Sequence, residues 1–349
     1  MLWLTVPVLF FAIAHASKLV DKSPLETASY APFGGKNASI LRSPADWNRN
    51  TYPLFMHSHN DYERPVPVFD ALSYGALSIE SDVWLNPKVC GGDSSQDMQL
   101  YVGHDPFSLT AERTFHALTV QPLVDAIEQA NTANAKYVNN SQSSLFGDLQ
   151  ASVSTSDAPW WNGYFSLGVG NTQPLQLLVD VKNDANRSWP LIVKALEPLR
   201  KRGFLTRYEH GKVIPGPVIV IGTGGTPIDQ LVPKHERDVF LDCEMTLLHK
   251  PMPKIHGVQY EWNNTLCAIA STDFEPVALN YTGIHEPSEQ VKANLTSLIH
   301  EAHKRGIKTR FWDTPAWPIY ARDRVNRLLL ELGSDWINVD DLESVAREF

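Results

Sequence analysis

Short apolar runs that end in polar, chemically active residues recur along this chain. Three of them are Pro53–Met56, Ala76–Ile79 and Leu100–Gly103, and each is followed directly by a histidine or an acidic residue. Apolar runs of this length, bounded by turn residues, are typical of buried parallel strands. We therefore predict buried strands that carry their polar residues at the carboxyl end.

Strand-like and helix-like segments alternate from His57 to the C-terminus. The predicted helices are Val120–Asn134, Ser188–Arg202, Ser288–Lys304 and Arg322–Leu332. The predicted strands end near His57, Asp82, Gly103, Val181, Ile221, Asp242, Phe311 and Val339. Candidate functional residues recur on successive strand ends rather than at one switch point. The pattern therefore favours an α/β fold of the TIM type, a (β/α)8 barrel with some distortion, over a doubly wound sheet.

The first residues have the pattern of a signal peptide. The apolar stretch Leu2–Ala14 leads into Ala14-His15-Ala16, a small-x-small cleavage site, although the usual basic residues before it are missing. A membrane anchor is the alternative, but a span needs about 20 apolar residues. We predict a signal peptide over 1–16, an extended arm over 17–51, a barrel domain over 52–349, and secretion.

Sequons support entry into the secretory route. Six Asn-x-Ser/Thr sites occur, at Asn37, Asn139, Asn186, Asn263, Asn280 and Asn294. Such sites are acceptors for N-glycosylation in secreted proteins. Together with the signal peptide, they predict a secreted glycoprotein without a transmembrane segment after processing.

Residues 136–173 interrupt the alternation after the third predicted strand. The segment is rich in Ser, Asn and Gly and carries Trp160-Trp161. An insertion of this length in a compact domain is usually functional or flexible. It fits a lid or substrate wall as well as a glycosylated surface insertion.

Composition and charge exclude several classes of protein. Hydrophobic residues make up 43% of the 349 residues and charged residues 20%, which suits a globular core. The net charge of −9 comes without a basic patch, so nucleic acid is not an expected partner. The three cysteines, Cys90, Cys243 and Cys267, lack a CxxC spacing and form neither a disulfide scaffold nor a zinc cluster. Cys243 and Cys267 would close the shorter loop, but the pairing stays open.

Carboxylates at two predicted strand ends suggest a cation site. Glu80 and Asp82 are two residues apart, so on a strand both point to the same side. Adjacent carboxylates repel each other unless a hard cation such as Mg²⁺ or Ca²⁺ lies between them. Asp180 would supply a third oxygen from the fourth strand, and Lys182 could neutralise a phosphoryl oxygen or simply pair with Asp180.

The sequence His57-Ser58-His59-Asn60 allows two chemistries. His-x-His at the end of a first barrel strand can hold zinc in metallohydrolases. Later strand ends, however, offer aspartate and Trp312 rather than histidine, which favours acid/base catalysis. The glycine-rich turn Gly222–Thr226 could cradle an anion, or it could be a plain tight turn.

The order and spacing of these residues resemble a known superfamily. His57, Glu80-x-Asp82, His104-Asp105 and Asp180-x-Lys182 match the phosphatidylinositol-phospholipase-C-like phosphodiesterases, which include glycerophosphodiester phosphodiesterases and sphingomyelinase D toxins. Within it, the segments His57–Arg64, Ser78–Leu85 and Val102–Asp105 most resemble the family called altered inheritance of mitochondria protein six. The resemblance runs from about Tyr52 to the C-terminus.

The resemblance implies a TIM barrel with one Mg²⁺, or Ca²⁺, held by Glu80, Asp82 and Asp180. It implies His57 as general base, His104 as general acid and Lys182 as a stabiliser of charge on phosphorus. The expected substrate is a small-molecule or lipid phosphodiester, which His59, Asn60 and Trp312 would contact.

The chain also departs from the superfamily. The His-Arg-Gly signature of the glycerophosphodiesterases is absent, because Ser58 and His59 stand where Arg and Gly would be. The phosphate-contacting arginine is therefore missing or supplied by Arg64 or Arg310. Two alternatives stay open: a zinc-dependent amidohydrolase-type enzyme that uses His57 and His59, and a catalytically silent barrel glycoprotein. The sequence does not indicate the oligomeric state.

Overall fold

Eleven strands are present in the computed structural model, which describes residues 51–86, 98–128, 164 and 173–348. In chain order they are β1 Leu54–Ser58, β2 Ala76–Leu85, β3 Leu100–Val102, β4 Leu175–Val181, β5 Arg207–Glu209, β6 Lys212–Ile214, β7 Val218–Gly224, β8 Val239–Glu244, β9 Cys267–Asp273, β10 Lys308–Trp312 and β11 Ile337–Val339. The described residues all belong to one unit, Pro44–Phe349.

Helices of the described residues alternate with these strands. They are α1 Phe69–Ser73, α2 Gln121–Glu128, α3 Ala185–Ala195, α4 Glu197–Lys201, α5 Ile228–Leu231, α6 Phe274–Val277, α7 Glu289–His303, α8 Ile319–Glu331 and α9 Leu342–Glu348. The predicted helix over 188–202 is thus divided into α3 and α4. The predicted start of α7, Ser288, is one residue too early. Ser288 is the cap of the helix rather than its first residue, and its side chain accepts a hydrogen bond from Val291 N–H.

Eight of the strands form a parallel barrel. Their order around the sheet is β10, β9, β8, β7, β4, β2, β1, β11, and all neighbours in this order are parallel. A parallel bridge between Arg310 and Trp336 closes the ring, and Trp336 N–H donates to the carbonyl of Thr309 at 3.0 Å. The predicted TIM-type barrel is confirmed.

Several barrel strands are apolar along most of their length. In β4, every residue from Leu175 to Val179 is buried, and in β7 Val218, Val220 and Ile221 are fully buried. Parallel strands in a barrel face the interior on one side and helices on the other, which explains this near-continuous hydrophobicity.

One predicted barrel strand is wrong and another was missed. The run that ends at Gly103 forms β3, which pairs antiparallel with the end of β2 and lies outside the ring. An apolar run buried on both faces does not reveal its direction, so the pattern alone could not distinguish the two cases. The eighth barrel strand is β9 instead. Its sequence, Cys-Ala-Ile-Ala-Ser-Thr-Asp, has mostly small or polar side chains and carries a weak strand signal.

The structure chooses the cysteine pair that the sequence left open. Cys243 on β8 and Cys267 on β9 form a disulfide bond between neighbouring barrel strands. Several predictions lie outside the described residues: the signal peptide, nearly all of the N-terminal arm and of the 136–173 insertion, and the residues Cys90, Asn37 and Asn139. Within the described residues, no helix combines the length and hydropathy that crossing a membrane requires.

Candidate active site

A ring of polar side chains occupies the barrel strands toward their carboxyl ends. Each strand contributes one member, in ring order from β1: His57, Asp82, Asp180, Thr223, Asp242, Ser271, Arg310 and Asn338. All except His57 and Asn338 line a cavity of about 510 Å³. The carboxyl face is where TIM barrels place their active sites, so this cavity is the candidate site.

Three carboxylates converge in this cavity. Glu80 and Asp82 lie on the same side of β2, and Asp82 is directly opposite Asp180 in the register with β4. Ligand oxygens of the three residues lie within 4.8 Å of one another. The structure therefore brings together the three residues that the sequence proposed as metal ligands.

The ionised form of two of these carboxylates is disfavoured. Burial and the neighbouring charge of Glu80 raise the pKa of Asp82 to about 6, although Lys182 acts in the opposite direction. Burial also raises the pKa of Asp180. The buried Oδ1 of Asp82 has no hydrogen-bond partner in the described part of the chain. Buried carboxylates in this condition favour a cation close by.

Lys182 supplies part of that positive charge. Its Nζ lies 2.9 Å from Asp82 Oδ2 and 2.9 Å from Asp180 Oδ2. Burial lowers the pKa of Lys182, but the two carboxylates outweigh this, and the net pKa is raised. The internal Asp–Lys pair considered from the sequence is thus formed, and it faces the cavity.

His57 is buried and is not part of the cavity lining. The side chain has no solvent exposure, and its Nδ1 and Nε2 atoms lie 2.7 Å from Ser78 Oγ and 3.4 Å from Glu80 Oε2. Burial, reinforced by the charge of Arg310, lowers the pKa of His57 to about 4. For Glu80, burial raises the pKa, but His57 and Arg310 outweigh burial. The net pKa of Glu80 lies well below the usual range of a carboxyl group.

His59, two residues after His57 in the chain, lines the cavity. Its Nδ1 lies 2.8 Å from Asp340 Oδ1, and its Nε2 lies 4.0 Å from Glu80 Oε2. Burial lowers the pKa of His59, yet the hydrogen bond to Asp340 and the charge of Glu80 leave the net pKa raised. An imidazole whose Nδ1–H donates to a carboxylate keeps Nε2 available as a base. A neighbouring cavity of about 340 Å³ shares His59 in its lining.

His104 reaches the same cavity from the loop after β3. This side chain is exposed, and its Nδ1 lies 3.5 Å from the hydroxyl of Tyr62, which itself donates to Asn60 Oδ1 at 2.9 Å. The cavity is thus bordered by two imidazoles that a ligand can reach, those of His59 and His104.

The remaining predicted contact residues also lie at the cavity. Asn60 and Trp312 both line it, and Asn60 N–H donates to Glu80 Oε2 at 3.2 Å. Asn60 has a φ of 48°, a left-handed conformation that asparagine tolerates better than most residues. Gly224, the last residue of β7, also lines the cavity, and an added Cβ there would collide with the carboxylate of Asp180.

The sequons of the described residues differ in exposure. Asn186 and Asn280 are exposed, whereas Asn263 and Asn294 are only partly exposed. Asn280 also belongs to the lining of the 340 Å³ cavity.

Sequence reasoning assigned no role to four residues of this site. Asp242 and Ser271 line the cavity, Asp340 holds His59, and Tyr62 contacts His104. Asp242 and Asp340 were visible as acids at strand ends, which is the only signal the sequence offered. Ser271 and Tyr62 carry no such signal, because their relevance depends on which strand and loop lie beside them.

Known proteins resemble this chain over most of its length. Residues 45–242 match the model of a family described as the AIM6-like phosphodiesterase domain. A protein of Arthroderma benhamiae named altered inheritance of mitochondria protein 6 homolog is 34% identical, with 89% of this chain and 88% of that protein covered. The Candida glabrata protein of the same family name is 30% identical, with 89% and 75% covered. These relatives' names state no chemical activity.

A solved structure is a more distant match. It is a glycerophosphodiester phosphodiesterase from Parabacteroides distasonis, 10% identical, with 85% of this chain and 95% of that chain covered at a TM-score of 0.39. On the family match and the curated relatives, this chain belongs to the family of AIM6-like phosphodiesterase-domain proteins.

Proposed function

We propose that this protein is a Mg²⁺-dependent phosphodiesterase that hydrolyses or cyclises a lipid or glycerol phosphodiester. The observation that carries the proposal is the convergence of Glu80, Asp82 and Asp180 in a cavity that two imidazoles also reach. Carboxylates beside acid/base histidines suit displacement at a phosphate diester. The phosphodiesterase-domain family supports the same reaction class.

The three carboxylates fit a hard cation. All the ligand atoms are oxygens, which Mg²⁺ and Ca²⁺ prefer, and Asp82 Oδ1 is buried without a hydrogen-bond partner among the described residues. When bound, Mg²⁺ would polarise the phosphoryl oxygens and offset the developing negative charge. Lys182, which already lies beside Asp82 and Asp180, adds a second positive charge on the same side.

His59 and His104 are the imidazoles best placed for proton transfer. Asp340 holds Nδ1 of His59, so Nε2 can take the proton from the attacking hydroxyl, of water or of the substrate itself. As a new P–O bond forms and the ester P–O bond breaks, His104 gives a proton to the leaving oxygen. The family resemblance favoured His57 for the basic role, and that assignment stays a prediction. We prefer His59 because His57 is fully buried with both ring nitrogens in contact with protein groups.

The zinc-dependent alternative has less support. It requires His57 and His59 as ligands, but His57 has no solvent exposure, and its ring nitrogens already contact Ser78 Oγ and Glu80 Oε2. Within the described residues, the candidate metal cluster consists of carboxylates alone. Such oxygen ligands favour Mg²⁺ or Ca²⁺ over zinc.

We also propose that the protein is a secreted glycoprotein. The disulfide bond between Cys243 and Cys267 is typical of oxidising compartments, and Asn186 and Asn280 are exposed as glycosylation requires. Glycosidase treatment of the protein from the culture medium tests this. A mass that does not change, or protein found only inside the cell, would contradict it.

Turnover of defined phosphodiesters tests the enzymatic proposal. Choline-, ethanolamine-, glycerol- and inositol-bearing diesters, with lysolipids, are incubated with wild-type protein in EDTA, Mg²⁺, Ca²⁺ or Zn²⁺. We expect turnover with Mg²⁺ that EDTA abolishes and that Glu80→Gln lacks. Glu197→Gln is the matched control, because Glu197 pairs with Arg200 outside the cavity lining.

The other outcomes identify the alternatives. Bound zinc after dialysis, without phosphodiester turnover, would favour the amidohydrolase-type enzyme. Neither turnover nor metal binding would leave the silent barrel as the better account.

A further inference from the structure

Arg310 is a buried cation in the wall of the cavity. It lies on β10, lines the 510 Å³ cavity, and has only 4% of its surface exposed. Five carboxylates share the same lining, those of Glu80, Asp82, Asp180, Asp242 and Glu244. A monoanionic phosphodiester entering this cavity therefore needs positive charge close to its phosphoryl oxygens.

Neutral groups on two neighbouring strands hold the guanidinium of Arg310. Its Nε donates to Ser271 Oγ on β9 at 3.0 Å, and its NH1 donates to Asn338 Oδ1 on β11 at 3.1 Å. The carboxylate of Asp242 on β8 forms a buried ion pair with Arg310, 3.5 Å from NH2, although no hydrogen bond joins the two groups. These contacts fix the plane of the group while leaving both N–H groups of NH2 without a hydrogen bond to any described residue.

This arrangement suits an oxyanion ligand. Guanidinium N–H groups match the geometry of phosphate oxygens, and a buried guanidinium with N–H groups that form no hydrogen bond within the described residues can interact strongly with an anion. The positive charge of Arg310 also acts across the site: it helps to lower the pKa of Glu80, and it opposes the net rise in the pKa values of Asp180 and His59. Arg310 is therefore close enough to influence both the carboxylates and the cavity histidine.

Two other cations near this site, Lys182 and Arg64, donate to protein groups. Lys182 lies between two carboxylates at 2.9 Å from each. Arg64 donates to Ser58 Oγ and to the carbonyls of Val339 and Asp340, and it is not part of the cavity lining. Arg64 thus ties the end of β1 to the segment after β11, which is a structural role.

We propose that Arg310 binds a non-bridging phosphoryl oxygen of the substrate. The inference rests on the proposed phosphodiesterase function. Phosphate recognition would then lie on β10. In the barrel, β1 and β11 separate β10 from β2, which carries Glu80 and Asp82.

Binding of inorganic phosphate in the presence of Mg²⁺ tests this without relying on turnover. Isothermal titration calorimetry is performed on wild type, Arg310→Gln, Arg310→Lys and Arg64→Gln. We expect Arg310→Gln to weaken phosphate binding about 10- to 100-fold, because a charge-assisted hydrogen bond is lost. Arg310→Lys should retain part of the affinity, since the charge remains but the planar group is lost. Arg64→Gln should bind phosphate as wild type does.

Thermal melts with and without Mg²⁺ accompany each titration, and a retained Mg²⁺ response shows that the carboxylate cluster is intact. If Arg310→Gln does not fold, Arg310→Lys decides the question with the same readout. Wild-type phosphate affinity in a folded Arg310 variant would overturn the inference. Loss of binding in Arg64→Gln instead, or no phosphate binding by wild type, would also overturn it.

Kinetics separate this inference from the function on which it rests. If wild type turns over no diester, the proposed function fails, whatever the phosphate titrations show. If wild type is active, Arg310→Gln should lower kcat/KM by the same factor as phosphate affinity. Unchanged kcat/KM in that variant would show that Arg310 does not contact the substrate.

Discussion

Replacing Asp82 by asparagine should stabilise the metal-free protein and abolish its response to Mg²⁺. In the folded chain, burial and the charge of Glu80 raise the pKa of Asp82 from 3.8 to about 6, even with Lys182 at 2.9 Å. One pKa unit corresponds to about 1.4 kcal/mol, so the ionised carboxylate destabilises the folded state at pH 7 by about 3 kcal/mol. For a domain of this size, removing that charge should raise Tm by about 5 °C.

The assay is thermal unfolding in EDTA and in excess Mg²⁺, at pH 7 and pH 5. Wild type should gain about 3 kcal/mol at a Mg²⁺ concentration 100-fold above Kd, whereas Asp82→Asn should gain little. In EDTA the advantage of the variant should shrink at pH 5. The folded-state pKa lies above the unfolded one, so wild type recovers stability as pH falls through about 6 and Asp82 binds a proton.

Asp335→Asn is the matched control, because the same substitution there should lower the stability of the folded protein at pH 7 rather than raise it. Asp335 accepts hydrogen bonds from Lys308, His303 and the Thr309 N–H, where β10 meets β11. Burial raises its pKa, but Lys308 and His303 outweigh this and lower it, so its contribution is present at pH 7 and lost in acid. An Asp82→Asn protein that melts below wild type in EDTA at pH 7 would refute the reasoning about carboxylate repulsion.

Three further changes test other parts of the site. His59→Gln should lower kcat about 10²- to 10⁴-fold with little change in Tm, and an unchanged kcat in the turnover assay would exclude His59 as the base. Gly224→Ala should weaken Mg²⁺ binding measured by calorimetry, because the added Cβ collides with the carboxylate of Asp180 and φ is +58°; wild-type affinity would contradict this. The double variant Cys243→Ala, Cys267→Ala should lose about 3 kcal/mol in chemical denaturation, since the disulfide closes a 24-residue separation. A loss below about 1 kcal/mol would show that the strands hold this edge without the bond.

The carboxylate cluster could be predicted from the sequence because it depends on local geometry. Glu80 and Asp82 are two residues apart on one strand, and that spacing alone places both side chains on one side. Asp180 required only that the next parallel strand lie beside β2, which holds in the structure. The eight-stranded barrel was likewise predictable from alternating segments.

The direction of β3 and the existence of β9 could not be predicted in the same way. The three residues of β3 are buried on both faces, and burial is the same for parallel and antiparallel neighbours. The strand β9 is rich in small and polar residues because its Ser271 faces the cavity and its Cys267 bonds to β8. Functional and covalent constraints thus replaced the hydrophobic signal on which strand prediction relies.

The sequence by itself determined the barrel class, the candidate carboxylate cluster and the two histidine-bearing segments, since these follow from periodicity and spacing along the chain. Only the tertiary structure decided that His57 is buried while His59 reaches the cavity. It also decided that Arg310, not Arg64, faces the site. The physical reason is that depth in the barrel and solvent access depend on closure of all eight strands, and the contacts between β1 and β11 join residues more than 250 positions apart.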